Sequence, residues 1–304
     1  MISKIIKYVR NPYLIIPKLW FNPLIRMIPD KLYISLCFRA GMGYWLDWRN
    51  PETFNEKIQW MKLYDRDPKY TMLVDKSTVK EYVGNLIGKQ YIIPTLAILN
   101  SLDEFEIDKL PSQFVLKCTH DSGGVFVCED KNLIDFKALK KFISKRLKTN
   151  YYYLAREWPY KNIRPRIIIE TYVVDNEDGE LRDYKLYCFD GYVKAVLVAT
   201  NRQSQTEELC FDYFDAEFNH LELTNHWHPN AKIQPHKPKN WETMIKLAQK
   251  LSTGFPHVRV DLYEANGQIY FGELTFSDMG GQLKIHPSEW DKEWGELFVL
   301  PKLT

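Results

Sequence analysis

Residues 258–276, VRVDLYEANGQIYFGELTF, constrain the fold more tightly than any other stretch of this 304-residue chain. Two runs of alternating β-formers flank Asn266-Gly267, a pair that tolerates the positive φ of a two-residue hairpin turn. Alternation puts Arg259, Asp261 and Tyr263 on one face of the first strand, with Val258, Val260 and Leu262 on the other. On the second strand Ile269, Phe271, Glu273 and Thr275 share a face. A strand folds without charges at Arg259, Asp261 and Glu273. They form either a solvated hairpin face or a seat for a hard divalent cation with a phosphate beside it. Register separates the two readings. A two-residue turn pairs Asp261 with Gly272 and leaves Glu273 opposite Val260, on the wrong face. Facing carboxylates need one residue more on one side, so the metal reading predicts a bulge or a longer loop near residues 264–268.

The length allows one large domain or two small ones, with an ample core. A formal charge of +2 lacks the electrostatic footprint of a nucleic-acid binder. Cys37, Cys118, Cys128, Cys188 and Cys210 are odd in number and show no CxxC spacing, which argues for reduced thiols in the cytoplasm. No run reaches the roughly 18–20 apolar residues of a transmembrane helix. Lys, Arg and Pro interrupt the N-terminus too often for a signal peptide. Through Arg49 eight basic residues stand against Asp30 and Asp47, 8 − 2 = +6, on a segment rich in Ile, Leu, Trp and Phe. That segment reads as a helical pedestal with solvated bases, or as a peripheral contact with the inner face of an anionic membrane.

In chain order, short helices broken by Pro12, Pro17, Pro23 and Pro29 precede a better helix opened by Thr53 and Glu56, a capping box. Further helices start near Asp67-Pro68 and near Asp75, the latter ended by Gly88. Strands follow at 91–99, 114–118 and 125–128, then a helix over 136 to about 153 and a structured loop at 156–166. Strands at 167–174, 184–189 and 192–200 lead to a polar, irregular stretch at 201–240. A helix over about 240–251 precedes the hairpin. The pattern is α+β with largely antiparallel pairing. The divisions fall at 1–74, 75–174 and 175–304.

Lys117 ends an apolar strand just before Ser122-Gly123-Gly124, where loop amides approach phosphate oxygens and a lysine adds a point charge. Glu170 stands inside the apolar run IIIETYVV, so it is paired or used. It suits either a salt bridge or an adenine amine, with the backbone of Tyr172 and Val173 completing a base-edge pattern. Lys185 is a second candidate phosphate contact, and Arg202 follows a strand end. His220, His226, His228 and His236 invite a zinc reading, but no thiol or carboxylate stands at ligand spacing.

The order Lys76, Lys117 with its glycine loop, Glu170, Lys185, Arg259, Asp261 and Glu273 resembles the ATP-grasp superfamily. It is most similar to the TupA-like ATP-grasp branch tied to bacterial polysaccharide biosynthesis. The likeness runs over about 39–298, through blocks such as LVDKSTVKEYV, FVLKCTHDSGG, LRDYKLYCFDG and GFPHVRVDLYEANGQIYFGELTF. It implies an ATP-grasp fold of two antiparallel-sheet lobes sandwiching ATP beneath a lid of residues 120–124, with His120 at its start. Lys76 and Lys117 would reach the phosphates, Glu170 the adenine, and Asp261 and Glu273 Mg²⁺. Arg259 would steady the γ-phosphoryl group. Thr275 stands where the family's second metal-binding asparagine is expected. The Gly280-Gly281 turn would meet an acyl-phosphate.

The activity implied is amide formation between a glycan carboxylate, such as a uronic acid, and an amino acid or other amine. Arg156, Trp158, Tyr160 and Arg166 are candidates for the acceptor pocket. A glycan kinase on the same fold, a glycosyltransferase and a non-catalytic glycan-binding protein are the alternatives.

Overall fold

A computed structural model of the chain describes residues 11–176, 181–202, 204 and 206–302, so Lys4, Lys7 and Arg10 of the basic terminus lie outside it. The prolines break the start of the chain into a 3-10 helix at Pro12–Leu19, α1 at Pro23–Arg26 and α2 at Asp30–Met42. α3 (Phe54–Tyr64) opens on the capping box: Glu56 N–H donates to the Thr53 hydroxyl at 3.2 Å, and Thr53 N–H to the Glu56 carboxylate at 3.0 Å. Asp67 caps α4 (Pro68–Val74), and α5 (Val79–Ile87) stops at Gly88 with φ 120°.

The next strands are β1 (Thr95–Leu99), β2 (Phe114–Cys118), β3 (Val125–Cys128) and β4 (Ile167–Thr171), an antiparallel sheet in the order β1-β4-β2-β3. α6 (Phe136–Leu147) covers one face, burying Leu139 and Ile143 against Phe114, Leu116, Ile167 and Ile169. Three boundaries differ from expectation. The first strand starts at Thr95 rather than 91, because Ile92 N–H closes a 3-10 turn onto Lys89. The helix after Phe136 ends at Leu147 and resumes as α7 (Tyr152–Ala155), since Asn150 accepts from Tyr152 N–H at 3.0 Å and starts a new turn. The strand at 167 ends at Thr171.

A second antiparallel sheet has the order β10-β9-β5-β6-β7, from β5 (Asp183–Phe189), β6 (Tyr192–Thr200), β7 (Cys210–Phe214), β9 (His257–Ala265) and β10 (Gln268–Thr275). β7 lies inside the stretch read as irregular; the short run CFDYF pairs along β6 from Thr200 to Val196. β8 (Thr224–Asn225) pairs with β11 (Ile285–His286). One face of the large sheet packs on α8 (Trp241–Ser252), with Val258, Val260, Leu262, Met244 and Leu251 all fully buried. Part of the other packs on α3 and α9 (Glu289–Leu297) through Phe54, Tyr187, Phe189 and Trp294. Both faces of a strand pair are therefore used, which leaves room for a cleft only at one end.

The β9–β10 hairpin decides what that end presents. Its turn is the tight two-residue form, Asn266 at φ 51° and Gly267 at φ 74°, with Ala265 opposite Gln268. The extra residue is not near 264–268, where it was expected. It is Gly272: Phe271 pairs with Leu262, and Glu273 pairs with Asp261. A Cβ at 272 would stand 2.9 Å from the Tyr263 ring and 3.1 Å from the Asp261 carbonyl oxygen, so the crowded point takes glycine. The bulge also splits the face expected for β10. Ile269 and Phe271 join Leu274 in the core, while Glu273 and Thr275 turn to the side of Arg259 and Asp261.

His257 starts β9 in a nest of Phe54, Phe189 and Phe298, ring centroids 4.7–5.3 Å away. Its Nδ1–H donates to the Cys188 carbonyl at 2.9 Å, and Nε2 has no partner. Burial pushes its pKa down to about 4. The unfolded chain takes up this proton near pH 6.5, the folded chain only near 4. Stability is therefore full above 6.5 and falls by about 3 kcal/mol on acidification to 4. Urea unfolding across that window is expected to show a steeper pH slope for the wild type than for His257→Asn. Equal slopes would mean that the ring titrates normally.

Candidate active site

Where α3 and α9 leave the second sheet uncovered, it faces the first across a cavity of about 360 Å³, within the range of small-molecule sites. Val115, Val125 and Val127 give the first wall an apolar patch, flanked by Lys117 and by Ser122 and Gly123 of the glycine loop. Lys76 and Lys80 enter from the start of α5. The opposite wall presents Asp183 and Lys185 from β5, Asp261 and Tyr263 from β9, and Gly272 and Glu273 from β10. Cations suited to phosphate thus stand across from carboxylates suited to a hard cation.

The carboxylates are held by fixed cationic partners, although burial still pushes the pKa of Asp261 above its ordinary value despite Arg259 and Lys185. Arg259 binds both Asp261 oxygens, Nε to Oδ1 at 2.7 Å and an Nη to Oδ2 at 2.8 Å, and reaches Glu273 Oε1 at 3.2 Å and Asp278. Lys185 Nζ bridges Asp261 Oδ2 at 2.5 Å and Asp183 Oδ2 at 2.6 Å. Arg202 meets the same Asp183 oxygen at 2.7 Å, leaving Oδ1 buried without a partner. Burial would raise the pKa of Glu273, but Lys76, Arg259 and Lys185 outweigh it and hold the carboxyl at about 2. Its side chain is 39% exposed, so the charge opens toward the cleft. Burial likewise disfavours charge on Lys185, and Asp183 and Asp261 reverse it, raising the pKa. On the other wall Glu170 takes Lys117 at 2.6 Å on one oxygen and Lys80 on the other. Burial raises its pKa and the two lysines bring it below the ordinary value.

The glycine loop is tied down at its start, at Asp121 and Ser122. Lys76 Nζ donates to the Asp121 carbonyl at 2.5 Å, and Arg146 of α6 binds the Asp121 carboxylate and the Ser122 carbonyl, both at 3.0 Å. Gly123 has φ 80°, and a Cβ at Gly124 would fall 2.4 Å from Asp121 Oδ1. Thr119 Oγ1, His120 Nδ1 and Asp121 Oδ1 are buried here without partners. Such orphans need an explanation, and a ligand's polar atoms or water beneath the loop would supply one.

The structure gathers Lys76, Lys117, Ser122, Gly123, Glu170, Tyr172, Val173, Lys185, Arg202, Asp261 and Glu273 around one cavity. His120 sits behind the loop, its ring within 3.1 Å of the Arg146 carbonyl. Arg259 and Thr275 lie beneath the carboxylates, not on the cavity wall. The guanidinium N–H groups of Arg259 are spent on Asp261, Glu273, Asp278 and the Thr275 hydroxyl, so it acts as their clamp. Arg156 is also elsewhere: only 1% exposed, it donates to the carbonyls of Ile25, Arg26 and Ile28 at 3.3–3.4 Å and stacks on Tyr33. Arg166 binds Asp75 at 3.1 Å and Ser77 at 2.6 Å. Tyr160 rests against the Tyr151 ring on the same short turn as Trp158. Burial, then Glu157 and Glu273, push its pKa well up. Gly280 and Gly281 adopt φ 63° and 71°, their carbonyls held by Gln59, and Gly280's also by Lys62 at 2.9 Å.

Sequence reasoning missed Lys80, Asp183 and Asp278. Lys80 stands four residues after Lys76 and Asp183 two before Lys185, both spacings that share a face. Asp278 accepts the Tyr187 hydroxyl at 2.6 Å besides Arg259, a pairing no local pattern announces. Of the histidines, His220 faces Asp212 at 3.3 Å and His228 packs on Phe211. No group of three or more His, Cys, Asp or Glu stands together as a preformed metal cage among the described residues. A Mg²⁺ ion that keeps most of its waters and nucleotide oxygens asks only one or two carboxylates of the protein. The oxygen donors Asp261 and Glu273, with the orphaned Asp183 Oδ1 beside them, fit that demand.

A nucleotide cleft between two antiparallel sheets, with a glycine loop on one wall and carboxylates on the other, is the arrangement of an ATP-grasp protein. A family model for TupA-like ATP-grasp matches residues 56–299, and the chain belongs to that family. No curated protein matches it. A D-alanine–D-alanine ligase of Bacillus anthracis complexed with ATP is similar at 15% identity and TM-score 0.38, over 67% of this chain and 54% of that one. The ATP-grasp ligase PsnB complexed with minimal precursor aligns at 10% identity and TM-score 0.41, over 73% and 60%. D-alanyl-alanine synthetase A of Vibrio cholerae aligns at 13% and 0.41, over 79% and 62%. The chain thus spans less than two thirds of the length of these proteins.

Proposed function

We propose that the chain is an ATP- and Mg²⁺-dependent carboxylate–amine ligase that acts on a cell-surface polysaccharide or its precursor in the cytoplasm. The observation that carries this reading is the division of the cavity, with Lys76 and Lys117 across from Asp261 and Glu273. A substrate carboxylate oxygen attacks the γ-phosphorus, the bond to the β–γ bridging oxygen breaks, and ADP leaves. The amine nitrogen then attacks the acyl carbon, the bond to the phosphate oxygen breaks, and the amine's surplus proton and inorganic phosphate depart. Mg²⁺, when bound by Asp261 and Glu273, offsets the charge that moves between the phosphates.

In this reading Lys76, Lys117, Lys185 and Arg202 neutralise phosphate, and the loop at 122–124 covers it. Glu170 keeps Lys117 and Lys80 in place and, with the backbone at Tyr172 and Val173, borders the adenine. Arg259 holds the metal-binding carboxylates in position. Gly280, Gly281, Trp158 and Tyr160 border the acceptor, for which a uronic acid and an amino acid are the substrate classes. The TupA-like family and the open carboxylate of Glu273 support it.

Hydroxylamine tests the chemistry. With ATP, Mg²⁺ and a panel of uronates, the enzyme should release ADP and form a hydroxamate, because hydroxylamine intercepts an acyl-phosphate. ADP release with a stable sugar phosphate and no hydroxamate would make it a kinase. ATP binding without ADP release from any uronate and amine pair would count against ligation.

A further inference from the structure

The N-terminal segment turns apolar side chains outward. Phe21, Leu24 and Met27 recur every third residue across α1 and its two flanks and are 61, 73 and 78% exposed, while Ile25 and Ile28 are partly buried. Ile15 and Leu32 add to them as further exposed side chains. A surface helix of a soluble domain keeps the opposite arrangement.

The segment is also built rather than loose. Buried Arg156, about 130 residues further along the chain, donates to three carbonyls at its base, those of Ile25, Arg26 and Ile28. Arg26 lies over the Tyr153 ring at 4.6 Å. These contacts fix the apolar tip to α7 and its C-cap residue Arg156.

Charge along this segment is mostly basic. Among the described residues up to 46 it holds Lys18, Arg26, Lys31 and Arg39 against a single acid, Asp30. Asp30 is already engaged by Arg66 at 3.0 Å and Arg156 at 3.4 Å. Lys18 and Lys31 are exposed and stand near the apolar side chains in sequence. Lys31 lies over the Trp48 ring at 5.4 Å and reaches the Tyr64 hydroxyl at 3.4 Å, weak surface contacts that headgroups can replace. A second copy meeting this face would set like charges against each other. An anionic lipid layer accepts both features, apolar side chains in the acyl boundary and lysines among the headgroups. No helix among the described residues is long and apolar enough to cross a membrane, so the contact is with the surface.

We propose that residues 15–32 dock the protein on an anionic phospholipid surface, with Phe21, Leu24 and Met27 entering the layer and Lys18 and Lys31 meeting the headgroups. This placement is independent of the reaction.

The full-length protein is to be sedimented with vesicles of phosphatidylcholine containing phosphatidylglycerol, and with phosphatidylcholine alone. The wild type should bind the anionic vesicles, and salt should release it. The triple variant Phe21→Ser/Leu24→Ser/Met27→Ser should bind about 100-fold more weakly, at roughly 1 kcal/mol for each side chain partly inserted. Its melting temperature and ATP binding should match the wild type, because these side chains touch neither core nor cleft. Failure of the wild type to bind anionic vesicles, or equal binding by the variant, would overturn the proposal. So would self-association in sedimentation velocity that the triple variant abolishes, since a second copy would then cover this face.

Discussion

Glu273→Gln is expected to retain ATP binding within a few-fold and to lose about 10³-fold in ATP turnover, the scale seen when one preorganised charge leaves a phosphoryl-transfer or oxyanion site. The glutamine keeps the shape of the side chain, and its amide oxygen still accepts from Arg259 and Thr275 at the position of Oε1. Only the negative charge goes. With its carboxyl held at about 2 by Lys76, Arg259 and Lys185, Glu273 is an anion throughout the physiological range, so the change is the same at every working pH. Folding should lose some stability, because the cations that hold this carboxyl at about 2 no longer meet a negative charge, although Arg259 keeps Asp261 and Asp278 as partners. ADP release followed by a coupled assay reads the first effect and urea unfolding the second. Turnover equal to the wild type would remove Glu273 from the mechanism.

Gly272→Val should be the more disruptive change, because it acts on the backbone that brings the two carboxylates together. The nearest atoms to a Cβ at 272 are the Tyr263 ring at 2.9 Å and the Asp261 carbonyl at 3.1 Å. The ring lines the cleft and the carbonyl is part of β9, so the strain is relieved only by opening the bulge or moving Tyr263 into the nucleotide cavity. Overpacking of this kind costs about 1–3 kcal/mol. Turnover should fall by at least about 100-fold, since a shift near 1 Å at a positioning site has that effect. A Gly272→Val enzyme with normal stability and turnover would show that the bulge does not position Glu273.

Much of the site was legible in the residues. Period-two alternation placed Arg259 and Asp261 on one face, and register arithmetic showed that Glu273 could join them only through an extra residue. Its position was not legible, because the hairpin contains two glycines and both tolerate irregular backbone. Asn266-Gly267 satisfies an ordinary tight turn, and only the packing of Tyr263 against residue 272 selects Gly272. The same limit explains Arg156. In the sequence it neighbours tryptophan, proline and tyrosine in a loop suited to a substrate, yet its partners are carbonyls about 130 residues away. β7 escaped notice because five residues between polar loops give too short an alternation, and its pairing with β6 is what makes it a strand. Local signals carried the capping box, the glycine loop and the helix starts. Contacts between distant segments fixed the rest.

Asp261 and Glu273, set face to face by the Gly272 bulge, should hold a metal ion only together with a nucleotide. Titrating Mn²⁺ into the protein, with and without a non-hydrolysable ATP analogue, measures this directly through the electron paramagnetic resonance of free Mn²⁺. Tight Mn²⁺ binding should require the nucleotide and be lost in Glu273→Gln. Mn²⁺ binding that ignores the nucleotide, or that survives unchanged in Glu273→Gln, would contradict it.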